Sequence, residues 1–307
     1  MVPDVAIIGG GPAGIAAAVQ LKRFDFQPLL FEKKQTGGLL WNAHWVENYP
    51  GFPDGISGPS LATELTRHLH SHAIHVFNDE IITADYHRTT RKFSLMTRNR
   101  SYTSDILIIA SGTQPLTDGI LSLTPAELQK CVAFEMHDLR DRTNGEKKKK
   151  IVIIGAGDIA FDYALQLSES PDNDIVIVFR SETINALPLL VRRVKERPTI
   201  RLESASILQT VRQGNHHALA VTFRKGEGFF TLEADVLVGA IGRTPQRDFY
   251  SPSLSDIEPE LISEGRLYLA GDVKNGLFRQ AVIAAGNGVE TAMNIYRNDQ
   301  RMMRGYE

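Results

Sequence analysis

Two short glycine-rich segments have the residue types and the setting needed to bind phosphate groups. The first runs from Gly9 to Gly14 after the apolar residues 5–8, and the second runs from Gly155 to Ala160 after the apolar residues 151–154. Glycine permits a tight strand-to-helix turn and lets backbone N–H groups approach phosphate oxygens, and the following helix adds partial positive charge. One such segment is weak evidence. Two in a single chain indicate two nucleotide cofactors and electron transfer between them.

Each glycine-rich segment is flanked by the elements of a β-α-β unit. Residues 2–8 and 27–31 have strand patterns, and the stretch from Pro12 to about Phe24 has a helical pattern. Glu32 ends the second strand, where an acidic residue accepts hydrogen bonds from an adenosine ribose. The second unit repeats this order, with strands at 151–154 and 174–179 and a helix over 157–167.

If the last segment of the chain returns to the first domain, that domain is discontinuous and contains residues 1–114 and 245–307, with residues 115–244 inserted as a second domain. The stretches Gly112–Pro115 and Gly242–Pro245 resemble each other and are the predicted hinges. The polar residues 114–150 have the composition of a boundary region. Further strands are predicted at 80–86, 93–97, 101–109, 205–212, 218–224, 235–240 and 266–270, with helices from about Ser57 and over 279–296.

Composition excludes several classes of function. The 307 residues carry a net charge of −2 and are 42% hydrophobic, which gives no reason to expect nucleic acid or anionic membrane as a partner. There is no apolar run long enough to span a bilayer, and the N-terminus enters its first strand at once, so we predict a cytoplasmic protein without a signal peptide. The single cysteine, Cys131, excludes an intramolecular disulfide, and the nine histidines lack metal-ligand spacing.

The whole chain resembles the thioredoxin-reductase-like flavoproteins. The matching segments are Gly9–Gly14, Glu32, Gly37–Gly38, Glu47–Gly51, Ala110–Thr113, Gly155–Ala160, Ala240–Pro245, Gly271–Val273 and Arg279–Ala281. This resemblance implies an α/β fold of two Rossmann-like, three-layer ββα domains, the second inserted into the first. It also implies a homodimer, with FAD in the first domain and NADH or NADPH in the second, and transfer of hydride from the nicotinamide to the flavin.

The resemblance also implies which residues contact each cofactor. In this chemistry the flavin is the catalytic group, so no side chain is assigned a catalytic role and no metal is expected. The residues implied for FAD are Gly9, Gly11, Pro12, Ala13, Gly14, Glu32, Lys33, Gly37, Gly38, Leu39, Asn48, Ile82, Ala110, Ser111, Gly112, Gly271, Asp272, Arg279, Gln280 and Ala281. The residues implied for NAD(P) are Gly155, Gly157, Asp158, Ile159, Arg180, Ile241, Gly242 and Arg243.

One departure from the family is informative. Thioredoxin reductases carry a CxxC dithiol before the second glycine-rich segment, whereas residues 131–138 contain Cys131 alone. Thioredoxin reduction by the family mechanism is therefore excluded, and residues 132–139 and 157–164 are more similar to ferredoxin–NADP reductases of this fold. These observations favour an FAD-dependent NAD(P)H oxidoreductase whose acceptor is a small acidic electron carrier such as ferredoxin. Direct attack of partner thiols on the flavin, or a flavin-binding redox sensor or subunit with little turnover, are the alternatives.

The type of nicotinamide and several side chains remain open. The family's NADP signature is a His-Arg-Arg cluster, but here Phe179, Arg180 and Ser181 are followed by Glu182, which favours NADH or weak discrimination unless Arg192–Arg193 compensate. Trp41, His44 and Trp45 are either packing residues or flavin neighbours. Lys147–Lys150 form either a solvated turn or a landing patch for an acidic carrier, and Cys131 is expected to act as a small hydrophobic residue.

Overall fold

The computed structural model describes residues 4–143 and 148–304. Val2 and Pro3 of the first predicted strand, and Lys147 of the lysine run, lie outside these residues. The chain forms two compact units. Unit 1 contains residues 1–41, 45–114 and 245–307, and unit 2 contains residues 42–44 and 115–244. Unit 2 therefore combines one long segment, residues 115–244, with the short segment 42–44.

The helices and strands follow one another along three stretches of the chain. The first stretch contains β1 (Val5–Ile8), α1 (Pro12–Arg23), β2 (Leu29–Phe31), β3 (Trp45–Val46), β4 (Ile56–Ser57), α2 (Gly58–Ser71), β5 (Val76–Phe77), β6 (Thr83–His87), β7 (Lys92–Met96), β8 (Ser101–Ser104) and β9 (Ile106–Ile109). The middle stretch contains β10 (Thr113–Pro115), α3 (Asp118–Leu121), β11 (Val132–Ala133), α4 (Met136–Thr143), β12 (Lys150–Ile154), α5 (Asp158–Leu167), β13 (Asp174–Val178), α6 (Pro188–Lys195), β14 (Ile200–Glu203), β15 (Ser206–Gln213), β16 (Leu219–Lys225), β17 (Gly228–Ala234), β18 (Val236–Gly239) and β19 (Arg243–Pro245). The last stretch contains α7 (Pro252–Ser263), β20 (Leu267–Leu269) and α8 (Ala281–Arg304).

Unit 1 is built on a parallel sheet with the strand order β20-β9-β1-β2-β5. All four residues of β1 are buried, as expected for a parallel strand covered on both faces. Helices α1 and α8 contribute to the core on one face, and the antiparallel strands β6, β7 and β8 contribute to the core on the other. Contact between α1 and α8 is close, because a β-carbon at Gly288 would collide with the carbonyl oxygen of Ala13.

Unit 2 repeats this plan. Its parallel sheet has the order β11-β18-β12-β13-β14, and its antiparallel sheet has the order β15-β16-β17. One core cluster joins the parallel sheet to residues of α4, α5 and α6, and another joins it to the antiparallel strands. The predicted α/β fold with two dinucleotide-binding domains is therefore confirmed. The two chain crossings, β10 and β19, pair as a separate two-stranded sheet.

Three sequence expectations were wrong in detail. Residues 101–109 form two strands in different sheets, since residues 101–104 pair with β7 in the antiparallel sheet and residues 106–109 pair with β1 in the parallel sheet. The polar stretch after Gln114 is not a mere boundary region, since it supplies β11, the edge strand of the unit 2 sheet. The last helix begins at Ala281 rather than Arg279, and α6 and α7 were not predicted.

Within residues 4–143 and 148–304, no helix has the length and apolar character required to cross a membrane.

Candidate dinucleotide-binding sites

The first glycine-rich loop of unit 1 requires glycine at two positions. The N–H of Gly9 donates to the carbonyl oxygen of Phe31 at 2.8 Å, and Gly9 has a φ of +108°. A β-carbon at Gly9 would collide with the carbonyl oxygen of Ala110, and one at Gly14 would collide with the carbonyl oxygen of Gly9. The turn therefore lies directly against the end of β9 and opens into α1, whose Pro12 occupies the first turn.

Glu32 and the Gly37–Gly38 turn contact this loop. The Glu32 carboxylate accepts hydrogen bonds from the backbone N–H of Gly10 at 2.8 Å and of Lys34 at 2.9 Å. The N–H of Gly37 donates to the carbonyl oxygen of Gly10 at 2.8 Å. Gly38 has a φ of +57°, and its β-carbon would lie only 3.1 Å from the Cα of Gly11. These contacts place a carboxylate and a second glycine turn beside the N-terminus of α1.

The segment containing Asp272 reaches the same end of α1. Gly271 has a φ of +80°, and a β-carbon there would lie 2.8 Å from the Cβ of Ala13 and 3.4 Å from the Cβ of Ala284. Gly271 is thus wedged between the first turns of α1 and α8. Asp272, which follows it, is part of a 3₁₀ helix spanning Gly271–Val273. The structure therefore brings both helix N-termini to one place in unit 1.

Residues 279–280 lead into α8, which begins at Ala281. The N–H of Arg279 donates to the carbonyl oxygen of Leu277 at 3.0 Å, and the Gln280 carbonyl oxygen accepts the N–H of Ala284 at 2.9 Å. The Gln280 side-chain oxygen accepts a hydrogen bond from the Asn48 amide at 2.8 Å. Two predicted flavin-site residues 232 positions apart in sequence are therefore in direct contact.

Three other residues implied for FAD have exposed side chains or surface partners. Lys33 pairs with Glu80 at 3.8 Å on the surface. The exposed Ile82 uses its N–H to bond the Met96 carbonyl oxygen at 2.8 Å. Leu39 is also exposed, at 36%.

Ser111 and Gly112 contact the returning chain of unit 1. The Ser111 hydroxyl donates to the Gln246 carbonyl oxygen at 2.6 Å, and the Gly112 carbonyl oxygen accepts the N–H of Gln246 at 3.0 Å. Ala110 lies beneath the first loop, with its Cβ 3.5 Å from the position that a β-carbon of Gly14 would occupy.

The glycine-rich loop of unit 2 has the same construction. The N–H of Gly155 donates to the carbonyl oxygen of Val178 at 3.0 Å, and a β-carbon at Gly155 would collide with the carbonyl oxygen of Ala240. Gly157 is the N-cap of α5, and a β-carbon there would meet nothing within 4 Å. The backbone at the start of α5 is therefore open to approach by a phosphate group.

The other residues implied for NAD(P) differ in their surroundings. The carboxylate of Asp158, at the first position of α5, accepts the N–H of Leu187 at 2.7 Å. Arg180 is exposed just after β13, whereas Ile159 packs against the core. Ile241 is 37% exposed. The Gly242 carbonyl oxygen accepts the N–H of Leu116 at 2.9 Å.

Arg243 lies in a buried ionic cluster that the sequence patterns did not reveal. Its guanidinium contacts the Glu135 carboxylate at 2.8 Å, and the two side chains are 6% and 12% exposed. The same carboxylate accepts hydrogen bonds from the Asn42 amide at 2.5 Å and from the Tyr163 hydroxyl at 3.2 Å. Burial, followed by the adjacent Glu135 charge, raises the pKa of Tyr163 well above its ordinary value. No periodicity connects these four positions, so only the folded chain brings them together.

A second acidic side chain, that of Asp162, contacts His44 within unit 2. The backbone N–H of His44 donates to the Asp162 carboxylate at 2.9 Å, and the His44 ring lies 2.7 Å from Glu169. Trp41 donates its indole N–H to the Thr36 carbonyl oxygen at 2.8 Å, while Trp45 is 46% exposed. His44 and Trp41 thus have packing and hydrogen-bonding partners within their own units.

Replacement of Asp162 by asparagine is expected to raise the melting temperature at neutral pH. Burial raises the pKa of the Asp162 carboxyl above its ordinary value, against the opposing effect of the His44 N–H. Because the folded protein holds this proton more tightly than the unfolded chain does, the ionised carboxylate lowers stability at neutral pH. The penalty disappears as the pH falls below the pKa of the unfolded chain. Melting curves at neutral and acidic pH, with the exposed Asp172→Asn as control, test this; an equal gain at both pH values would contradict it.

Cys131 and Lys150 make packing and hydrogen-bonding contacts within unit 2. Cys131 is half-buried and packs against the core beside the antiparallel sheet of unit 2, as a small hydrophobic residue would. Lys150 begins β12, and its N–H donates to the Asp235 carboxylate at 2.9 Å. Among the residues that the structure describes, no three His, Cys, Asp or Glu side chains are placed to hold a metal ion.

Two glycine-rich loops on parallel sheets, each opening a helix, are the construction of a protein with two dinucleotide-binding domains. Residues 3–288 match the family described as pyridine nucleotide-disulphide oxidoreductase. The chain belongs to this family, whose members bind FAD and NAD(P)H. Within it the chain is thioredoxin-reductase-like, and its single cysteine excludes a CxxC dithiol.

Individual relatives extend over nearly the full chain. Glucosaminate ammonia-lyase from Pseudomonas fluorescens is 27% identical over 315 residues, covering 95% of this chain and 94% of that protein. Thioredoxin reductase from Rickettsia typhi is 27% identical over 308 residues, covering 95% of this chain and 96% of that protein. The crystal structure of Lactococcus lactis thioredoxin reductase (FR conformation) matches with a TM-score of 0.83 at 23% identity, covering 96% of this chain and 98% of that one. This last likeness concerns the fold alone.

Proposed function

We propose that the protein is an FAD-dependent oxidoreductase that takes hydride from NAD(P)H and passes electrons to an acceptor without an internal dithiol. The observation that carries this proposal is the matched geometry of the two loops. Gly9 lies against the Ala110 carbonyl in unit 1, and Gly155 lies against the Ala240 carbonyl in unit 2. Each unit therefore has its own turn, shaped for close approach of a pyrophosphate to backbone N–H groups.

The residues of unit 1 fit FAD. The loop glycines leave backbone exposed at the N-terminus of α1, and the Glu32 carboxylate lies beside it for the adenosine ribose. Asp272, the Asn48–Gln280 pair and the N-terminus of α8 would hold the flavin half, and the positive end of a helix favours a reduced, more negative ring. When bound, FAD accepts hydride from a nicotinamide and releases electrons to the next acceptor.

The residues of unit 2 favour NADH or weak discrimination. Arg180 is exposed where an adenosine ribose would lie, but Ser181 and Glu182 follow it. An NADP 2′-phosphate is held best by several charge-assisted hydrogen bonds, which one arginine beside a carboxylate supplies poorly. Residue roles in this unit, including that of Arg243 in its buried ion pair, stay predictions.

Replacement of Ser181 by arginine is expected to raise kcat/KM for NADPH about tenfold, since a hydrogen bond to a charged group contributes roughly 1.5–3 kcal/mol. The value for NADH is expected to stay unchanged. Ser170→Arg adds the same charge at an exposed position elsewhere in unit 2 and serves as the control. Steady-state rates with both nucleotides decide the matter, and an equal rise with NADH would show that the new charge acts nonspecifically.

The acceptor is proposed to be a small, acidic, one-electron carrier of the ferredoxin kind. Support comes from the single cysteine, which leaves no dithiol to relay electrons, and from the resemblance of residues 132–139 and 157–164 to ferredoxin–NADP reductases. A homodimer and a cytoplasmic location likewise stay predictions.

Anaerobic stopped-flow mixing with NADH and with NADPH tests the proposal. Bleaching of the flavin by at least one nucleotide is expected, followed by reoxidation on addition of a ferredoxin. A protein that binds FAD but shows no bleaching at millimolar nucleotide would instead be a flavin-binding redox sensor or subunit, which the missing dithiol and incomplete NADP signature favour. A protein that cannot bind FAD would exclude both functions.

A further inference from the structure

The segment after β13 is fixed to the second glycine-rich loop at two points. The N–H of Asn185 donates to the carbonyl oxygen of Ala156 at 2.9 Å. The N–H of Leu187 donates to the carboxylate of Asp158 at 2.7 Å. At its other end the segment is also held, since the Ser181 carbonyl oxygen accepts the N–H of Ala205 at 3.1 Å. We call residues 180–187 the adenosine loop, because residues directly after the second strand of a β-α-β unit contact the adenosine ribose.

Asp158 places a negative charge in the helix turn that is shaped to bind a pyrophosphate. A carboxylate in the first turn of a helix is stabilised by the helix dipole. The same carboxylate repels the pyrophosphate that this turn is shaped to bind. The carboxylate accepts the N–H of Leu187, and this hydrogen bond holds the adenosine loop beside the start of α5.

We infer that Asp158 is a positioning residue, which sets affinity for the adenosine half of the nicotinamide dinucleotide by fixing the adenosine loop. This inference rests on the proposed function, because it assumes that unit 2 binds such a nucleotide. It changes the role expected for Asp158, from a contact with the cofactor to a contact with the loop that binds it.

Three ligands distinguish an effect of Asp158 on the adenosine half of the nucleotide from an effect on the nicotinamide half. NADH carries the adenosine half, reduced nicotinamide mononucleotide lacks it, and ADP-ribose carries it without the nicotinamide. In Asp158→Ala, flavin reduction is expected to need about three- to tenfold more NADH for half-maximal rate, the effect of losing one hydrogen bond, with an unchanged limiting rate. Reduction by the mononucleotide is expected to match the wild type. Asp158→Asn keeps an acceptor oxygen and removes the charge that repels the pyrophosphate, so its affinity for NADH is expected to equal or exceed that of the wild type.

Calorimetric titration with ADP-ribose reports on the same loop without flavin chemistry, and Asp158→Ala is expected to weaken this binding by the same factor. Asp172→Ala, which removes an exposed charge elsewhere in unit 2, is the matched control. The inference is overturned if Asp158→Ala leaves both NADH and ADP-ribose affinity unchanged, or weakens NADH and the mononucleotide equally. It is also overturned if Asp158→Asn weakens binding as much as Asp158→Ala does, since the acceptor oxygen for the Leu187 N–H would then not matter.

The proposed function fails in a different way. If wild-type protein binds ADP-ribose but no reduced nucleotide bleaches its flavin, the oxidoreductase proposal fails while the titration still decides the role of Asp158. If wild-type protein does not bind ADP-ribose, the adenosine loop has no such ligand, and the inference is wrong.

Discussion

Gly9→Ala protein is expected to purify folded but with little or no FAD. Gly9 has a φ of +108°, a region that costs an L-residue roughly 1–2 kcal/mol, and its new β-carbon would collide with the Ala110 carbonyl oxygen. Since that oxygen belongs to the backbone at the end of a buried strand, the loop must move rather than its neighbour. The N–H groups that follow would then no longer converge on a pyrophosphate. The ratio of flavin to protein absorbance, and an FAD titration of the apoprotein, measure the loss.

Gly51→Ala provides the matched control for the backbone effect. Gly51 has a φ of +104°, but a β-carbon there would meet nothing within 4 Å. It therefore imposes the same conformational cost in unit 1 without a collision, and it is expected to retain FAD. Circular dichroism and melting curves establish that both variants fold. Full FAD content in a folded Gly9→Ala protein would show that the first loop is not the flavin site.

Glu135→Ala is expected to lower the free energy of unfolding by about 3–5 kcal/mol, the usual effect of removing one partner of a buried ion pair. Arg243, whose side chain is 6% exposed, would keep its charge in the interior but lose the carboxylate that balances it. The Tyr163 hydroxyl and the Asn42 amide would lose the same acceptor. Urea denaturation followed by the fluorescence of the protein measures the change.

Two further variants test whether the loss of stability in Glu135→Ala arises from the burial of its ion pair. Glu260→Ala breaks the Arg88–Glu260 pair, whose side chains are 61% and 43% exposed, and is expected to change stability little because solvent screens such pairs. The double variant Glu135→Leu/Arg243→Met is expected to recover much of the lost stability, since apolar replacement of a whole buried pair is often neutral. Equal losses in Glu135→Ala and Glu260→Ala would contradict the proposed burial effect.

Local sequence patterns predicted most of the strands and turns along the chain. The apolar strands at 5–8 and 151–154, the glycine turns and Glu32 are short-range signals, and the structure places them together within their units. The single strand expected at 101–109 was wrong, because polarity does not show where a chain leaves one sheet for another. Helix α7 had local signals that were overlooked, since Ser251 caps it and Pro252 begins it.

Long-range pairs could not be predicted in this way. The contact between Asn48 and Gln280 joins residues 232 positions apart. Glu135 and Arg243 are brought together because they follow β11 and β18, which are paired strands. Such contacts depend on how strands are ordered, which periodicity does not encode. The same limit applies to the contact of Asp158, whose carboxylate accepts a backbone N–H from a later loop. Its contact with the cofactor, which the family resemblance implies, stays a prediction.

The pairing of β10 with β19 has a consequence for how a chain of this kind can arise and be modified. Since the exit and the return of the chain are paired strands, the two ends of residues 115–244 are neighbours. Joining neighbouring ends by a short loop takes little conformational entropy from a chain. Adjacent entry and exit points are the arrangement that most readily accepts an inserted domain.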